Sequence, residues 1–330
     1  MKNENTKMLV SGGLMVALTA VLMLACRYMP VLSVLGTFIC GVPMAAFAAR
    51  SGFKLLIPAT IAVFALSVLI DGNLISAASM VFMSVVPGLV AGFMLGRKKS
   101  FFAGLFVTCL AVCIGWLFEL LVLETFLGSG FDEIIGEVLS QMKTTLNTLV
   151  GSLDKSATES LKVSPEQLVG LTMEMVEFSI RLYFPSVVIL SSMVSGYIII
   201  RISGYVISRA HICNVKNLPF SHLRAPRNMS VVAIIFYIIY IFLNQNSGLW
   251  PVFANLVLIL YTIIGVCGLS VIDFKLKSKI NFGLLRFLIY AAVFFFGSAL
   301  MSIISTVLIV IGIMDASRDF RRLGTIDKDA

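Results

Sequence analysis

Charged side chains are scarce in this chain of 330 residues: Asp, Glu, Lys and Arg make up 13% of it, and histidine occurs only twice. Soluble domains carry about 25% charged and about 45–50% apolar residues. Here 59% of the residues are apolar and the mean hydropathy is +1.01, too much for one water-soluble core to bury. A soluble enzyme, a nucleic-acid-binding module and a disordered chain are therefore excluded. A transmembrane β-barrel is excluded too, because the apolar residues form runs of about 20.

The motifs of common catalytic sites are also missing. The sequence has no His-Glu-x-x-His, no Gly-x-Ser-x-Gly and no Gly-x-x-x-x-Gly-Lys-Ser/Thr loop for nucleotide phosphates. His211 and His222 lie in a basic loop, where solvated side chains are favoured over a metal site. Five cysteines lie in apolar runs, which is typical of packing and not of a disulfide framework: Cys26, Cys40, Cys109, Cys113 and Cys267. The sequence predicts no enzyme, no metal and no cofactor.

Apolar runs long enough to cross about 30 Å of hydrocarbon predict an all-α fold, a polytopic transmembrane helix bundle. We expect about nine spans, within a range of eight to ten. The runs cover residues 9–29, 34–49, 55–70, 74–95, 101–127, 182–208, 229–243 and 251–272, with the ninth span inside 284–314. This last segment is either one strongly tilted helix or a short hairpin centred on Gly297-Ser298.

Basic residues in alternate loops predict the orientation. They lie before span one and between spans two and three, four and five, six and seven, and eight and nine. Loops rich in Lys and Arg stay in the cytoplasm, so the N-terminus is predicted to be cytoplasmic. The formal net charge of +8 reflects this bias and not a nucleic-acid partner. Nine crossings would place the tail outside, whereas Arg318, Arg321 and Arg322 favour the inside.

Residues 128–181 form an acidic segment between spans five and six. They carry eight acidic and four basic residues, a net charge of −4 that suits the outer face. Apolar residues at helical spacing from Phe131 to Leu153 predict an extracytoplasmic amphipathic helix. A second helix is predicted to start at Ser164-Pro165 and to run into span six. The two helices are either a lid over an outward-facing site or a hairpin packed on the bundle.

These patterns divide the chain into six parts. The predicted parts are the first five spans (1–127), the outer amphipathic helices (128–181), the sixth span (182–208), a basic cytoplasmic loop (209–228), the C-terminal spans (229–314) and a polar tail (315–330).

Ionisable residues at membrane depth are costly, so each is a candidate for function. At about 1.5 Å per residue, the polar residues near the outer ends of spans one, three, four and five share one level. They form either the floor of a small-molecule pocket open to the outside, or an interfacial layer with a structural salt bridge. The candidate ligand-binding residues are Arg27, Asp71, Asn73, Trp116, Glu119 and Glu124.

Small residues spaced four apart allow close approach of two helices. Gly13 and Ala17 have this spacing on span one, and Gly88, Gly92 and Gly96 have it on span four. Such faces serve either packing within the chain or docking of a partner membrane protein.

Several local sequences place the chain in a family. They are Arg27-Tyr28-Met29-Pro30, Ala49-Arg50-Ser51-Gly52, Leu218-Pro219-Phe220, Leu223-Arg224-Ala225-Pro226 and a closing signature of Gly312, Asp315, Asp319, Phe320 and Arg321. In this order they resemble the YybS family of bacterial polytopic membrane proteins. The resemblance implies a multi-pass protein of the bacterial plasma membrane.

Residues 1–208 more distantly resemble the six-helix substrate-binding (S) components of energy-coupling-factor transporters. Those proteins bind a vitamin or a metal near the outer face, and small residues on their first helix meet a coupling protein. The resemblance implies such docking for Gly13, Ala17 and Ala20, and a ligand near Asp71 and Glu119.

Two functions follow as hypotheses. In the first, the chain is a substrate-capture subunit for uptake of a vitamin-like small molecule, with a coupling membrane protein and separate ATPase subunits as partners. In the second, it is a non-transport scaffold in cell-envelope processes, acting through its outer helices and its basic loop. A lipid-modifying enzyme is disfavoured, because no nucleophile, base or metal set lies at one depth.

Overall fold

The computed structural model describes residues 2–97, 99–126, 128, 130–151, 165–215, 218–280, 282–296, 300–318 and 320–321. These residues are almost all helical, and no strand occurs among them. The predicted all-α fold is confirmed. The chain forms two compact units, Met1–Asn217 and Leu218–Ala330, and their boundary falls inside the predicted basic loop 209–228.

The first unit contains nine of the helices that the structure describes. They are α1 (Lys2–Tyr28), α2 (Pro30–Ile39), α3 (Val42–Arg50), α4 (Phe53–Asp71), α5 (Leu74–Met80), α6 (Val86–Gly96), α7 (Phe101–Phe126), α8 (Phe131–Gly151) and α9 (Pro165–Arg209). A π-helical turn, Val81–Val85, joins α5 to α6. Because a π-turn is wider than an α-turn, it offsets the faces of the two helices that it joins.

The second unit contains a short 3₁₀ turn and four further helices. The turn is Phe220–His222, and the helices are α10 (Arg227–Phe242), α11 (Trp250–Lys277), α12 (Gly283–Phe296) and α13 (Met301–Arg318). The segment 284–314, which the sequence allowed to be one tilted helix or a short hairpin, therefore holds two helices. Residues 297–299 between them, including the predicted turn Gly297-Ser298, lie outside the described residues.

Among the described residues, seven helices are long and apolar enough to cross a membrane: Thr6–Tyr28, Phe53–Asp71, Leu74–Gly96, Phe101–Phe126, Val169–Arg209, Trp250–Lys277 and Met301–Arg318. Three apolar helices are shorter: Leu35–Arg50, Arg227–Phe242 and Gly283–Val293. Together they cover every predicted span, while the number of crossings stays a prediction.

Small residues hold α3 against α6 at close range. A Cβ atom added to Gly88, Gly92 or Gly96 would overlap the carbonyl oxygen of Gly41, Ala45 or Ala49, respectively. Residue numbers rise together along this contact, so the two helices are parallel. The small-residue face of α6 is therefore occupied by packing within the chain.

Both helices predicted between spans five and six are present, and the second is continuous with span six; their position outside the membrane stays a prediction. α9 has 45 residues, which at about 1.5 Å per residue makes it about 68 Å long, roughly twice the thickness of the hydrocarbon core. The first turns of α8 pack on it: the Phe131 ring lies 4.4 Å from that of Phe184, and Arg181 pairs with Asp132. The proposed cap Ser164 and the apolar residue Leu153 lie outside the described residues.

Candidate functional site

A cavity of about 290 Å³ opens where α1 ends and α5 begins. Ligand pockets typically measure about 300–1,000 Å³, so this one suits a small ligand. Its lining comes from α1, α2, the end of α4, α5 and the π-turn: Met23, Cys26, Arg27, Gly36, Thr37, Asp71, Ser76, Met80, Met83 and Ser84. Two of the predicted site residues, Arg27 and Asp71, therefore line one cavity.

Arg27 and Asp71 carry the opposite charges of this cavity. Arg27 Nε lies 3.9 Å from Asp71 Oδ1, and the side chains are 57% and 6% exposed, respectively. Ser76 Oγ donates to Asp71 Oδ2 over 3.4 Å. A pair at this distance is loose, so both groups keep hydrogen-bonding capacity for a ligand.

The turn after Asp71 fixes where α4 ends and α5 begins. Gly72 ends α4 with φ of 64°, a left-handed conformation that glycine adopts without strain. Asn73 then caps α5, because its Oδ1 accepts from the Ile75 N–H over 2.8 Å. The side-chain oxygen of Asn73, a predicted ligand residue, is thus engaged in capping α5.

The other predicted site residues lie on α7, and among the described residues they do not line this cavity. Trp116 packs against the apolar cluster formed by α3, α6, α7 and α9. Glu119 is half-buried, and its Oε2 atom is buried without a hydrogen-bond partner. Glu124 is exposed. Of the residues predicted to share one outer level, Arg27 and Asp71 therefore line the cavity, whereas the three residues of α7 lie away from it.

The proposed docking residues on α1 are open. Gly13 has no other atoms within 4 Å of where a Cβ would lie, Ala17 is exposed, and Ala20 is half-buried. This face contrasts with that of Gly88, Gly92 and Gly96, which α3 covers.

The family signature forms a buried polar cluster in the second unit. Arg321 Nη2 lies 2.7 Å from Asp315 Oδ2 and also donates to the Leu223 carbonyl. Its Nη1 donates to the Ser221 carbonyl and to Ser270 Oγ, both at 2.7 Å. The end of α13 is therefore fixed beside the loop before α10 and the last turns of α11.

The remaining signature residues have different surroundings. At Gly312 a Cβ atom would overlap the Ile264 carbonyl, so this glycine allows α11 and α13 to touch. Phe320 is exposed. Asp319 lies outside the described residues.

A second polar cluster was not predicted. Asp273 Oδ1 accepts from Arg286 Nη1 at 2.7 Å and from Tyr290 Oη at 2.9 Å. Asp273 is buried, whereas most of the described apolar side chains of α12 are exposed. The four-residue spacing of Arg286 and Tyr290, which puts both on one helix face, was the available signal.

Comparison with known proteins gives a matching family and one similar protein. The family described as "Predicted membrane protein (DUF2232)" matches residues 17–316. The protein described as "Uncharacterized protein YybS" from Bacillus subtilis (strain 168) is 24% identical over 287 residues, which cover 84% of this chain and 86% of the relative. No solved structure matches the chain.

Proposed function

The chain belongs to the DUF2232 family of predicted membrane proteins, and we propose that it is a substrate-capture subunit for uptake of a small, vitamin-like solute. In this proposal it lies in the bacterial plasma membrane with its N-terminus in the cytoplasm, and it is not an enzyme. The function agrees with the more distant resemblance to S components.

The cavity that contains Arg27 and Asp71 is the observation that carries this proposal. A cation and a carboxylate face the same space, and the Thr37, Ser76 and Ser84 hydroxyl groups line it. Met23 and Met80 supply apolar surface. Apolar walls with a few convergent polar groups are typical of sites for small ligands. The charge pattern fits a compact solute that carries both a hydrogen-bond acceptor and a donor.

Partners follow from the same proposal. The described helices and the sequence offer no nucleotide-binding loop, so energy would come from separate ATPase subunits through a coupling membrane protein. The open face of Gly13 and Ala17 supports docking of such a protein, because small residues let a partner helix approach closely.

Native mass spectrometry of the protein purified in mild detergent tests capture directly. We expect a bound small molecule on the wild type that is lost in Arg27→Gln and Asp71→Asn. Arg50→Gln and Glu124→Gln change charge elsewhere and should retain it. Absence of any bound molecule, together with unchanged solute uptake after deletion of the gene, would contradict the proposal.

The scaffold function remains a second candidate because of α8. Val138 and Met142 lie on its predicted apolar face, yet they are 44% and 39% exposed. They are suited to the membrane surface or to a protein partner. If the chain is a scaffold, a photo-crosslinker at position 142 should capture a protein, deletion of residues 128–178 should abolish envelope function, and Arg27→Gln should have no effect.

A further inference from the structure

Two thiol groups lie close together beside the cavity. Cys26 Sγ lies 3.6 Å from Cys40 Sγ, and the two residues are 7% and 0% exposed. Both cysteines are free. Cys26 belongs to the last turns of α1 and lines the cavity, while Cys40 follows α2. Capture of a solute by Arg27 and Asp71 does not use either thiol.

Gly36 packs closely against both thiol groups. A Cβ atom at this position would lie 3.1 Å from Cys26 Sγ, 3.2 Å from Cys26 Cβ and 3.9 Å from Cys40 Sγ, so a side chain here would crowd the Cys26 thiol. Gly36 also lines the cavity, so the thiol pair lies directly beside it.

Three methionines line the same cavity. Met23 lies one turn before Cys26 on α1, and its Sδ accepts a hydrogen bond from Ser67 Oγ over 3.0 Å. Met80 and Met83 lie where α5 passes into the π-turn. Isolated π-turns inside α-helices occur frequently at functional sites. Residues with one thiol and three thioethers therefore line the cavity, and the buried Cys40 thiol lies 3.6 Å from that of Cys26.

We propose that Cys26 and Cys40 bind a monovalent copper ion, Cu(I), with a thioether from Met23, Met80 or Met83 as a further ligand. This site goes beyond solute capture and stands on the sulfur atoms alone. Thiolate and thioether donors select Cu(I) over harder cations. No group of three His, Cys, Asp or Glu side chains suitable for a metal occurs among the described residues. A third protein ligand beside the two thiolates would therefore be a methionine thioether.

The geometry fits a metal bridge. Metal–thiolate bonds of about 2.3 Å, the length found for zinc, hold two sulfur ligands about 3.8–4.0 Å apart at tetrahedral or trigonal angles. The observed 3.6 Å is within a few tenths of an ångström of that separation. Binding releases one proton from each thiol, and the resulting complex of Cu(I) with two thiolates carries one negative charge. The Arg27 guanidinium, which lines the same cavity, offsets it.

Competition with a chromogenic Cu(I) chelator, under anaerobic conditions on the detergent-purified full chain, tests the site. We expect one tightly held copper ion per wild-type chain and loss of that ion in Cys26→Ser and in Cys40→Ser. Replacement of Met23, Met80 and Met83 together by Leu, which keeps the volume but removes the sulfur atoms, should weaken binding. Cys109→Ser and Cys113→Ser change free cysteines on α7 and should retain the ion.

X-ray absorption on the wild type needs no variant and guards against a misfolded mutant. A coordination shell of sulfur only, at about 2.3 Å, is expected. Three results would overturn the inference: no copper held against the chelator, preferential binding of Zn²⁺, or loss of the Cys26 and Cys40 thiols to a disulfide that forms without copper uptake.

Discussion

Arg321 and Asp315 form an ion pair of 2.7 Å in which both side chains are only 2% exposed. The guanidinium of Arg321 also donates hydrogen bonds to the carbonyl groups of Ser221 and Leu223 and to the Ser270 hydroxyl. Arg224 adds a second guanidinium, which donates to the carbonyls of Asp315 and Ala316 at the end of α13. The cluster joins three segments of the second unit through this ion pair and the surrounding hydrogen bonds.

Arg321→Gln is expected to destabilise the second unit strongly. Removing one partner of a buried ion pair leaves an uncompensated charge and costs about 3–5 kcal/mol. Thermal unfolding in detergent, followed by tryptophan fluorescence of Trp250, measures the loss. Arg318→Gln is the matched control, because Arg318 is exposed and only three residues away. Equal stability of the two variants would contradict a structural role for the pair.

Tyr290→Phe and Arg286→Gln should loosen α12 to different extents. The tyrosine variant removes one hydrogen bond to Asp273, worth about 0.5–1.5 kcal/mol. The arginine variant leaves the buried Asp273 carboxylate without its cation, so its effect should be larger. Hydrogen exchange of residues 283–293 reports the change. Leu288→Ala, at an exposed apolar position of the same helix, should leave exchange near the wild-type rate.

Gly92→Val is expected to push α3 away from α6. Its Cβ would overlap the Ala45 carbonyl oxygen, and backbone cannot move aside as a flexible side chain does. Overpacking of this kind costs about 1–3 kcal/mol or more. Gly13→Val adds the same side chain where no atoms lie nearby, so it should leave the melting temperature of the purified chain unchanged. A similar loss in both variants would show that β-branching, and not contact with α3, is responsible.

Attachment of α8 should depend on its apolar residues more than on its ion pairs. The ion pairs of Arg181 with Asp132 and Glu177 are exposed, so Arg181→Ala is expected to have little measurable effect on the attachment of α8. Ile135 is 4% exposed, and Ile135→Ala should cost about 2 kcal/mol or more. The rate of thiol labelling at a cysteine introduced at position 134, which is half-buried, would follow detachment. Faster labelling in Arg181→Ala than in Ile135→Ala would reverse this ranking.

Local signals predicted much of this fold. Apolar runs predicted the long helices, because the hydropathy of a run does not depend on distant contacts. The start of α9 at Pro165 follows from the fixed φ of proline, which suits a first helical turn. The division of the last segment into α12 and α13 remained open, since its length allowed one tilted helix or two short ones.

Depth alone predicted only part of the site. Arg27, Asp71 and Glu119 were predicted to share a level because the rise per residue is constant. Which wall a residue faces depends on rotation of its helix, and an evenly apolar helix such as α7 carries no pattern that reveals this rotation. Glu119 therefore lies away from the cavity that Arg27 and Asp71 line. The sulfur cluster was missed for a related reason, because Cys26 and Met80 count as ordinary apolar residues in a hydropathy pattern.

The length of α9 has a mechanical consequence. A helix of about 68 Å acts as a lever: a tilt of about 10° around its middle moves each end by about 6 Å. Pro185 lies close to that middle, and because it has no N–H group it removes one hydrogen bond where bending stress would be greatest. The helix therefore has a compliant joint between the half that carries α8 and the half that packs on α6. Movement of the half that carries α8 can be absorbed at this joint before it reaches the basic end at Arg209.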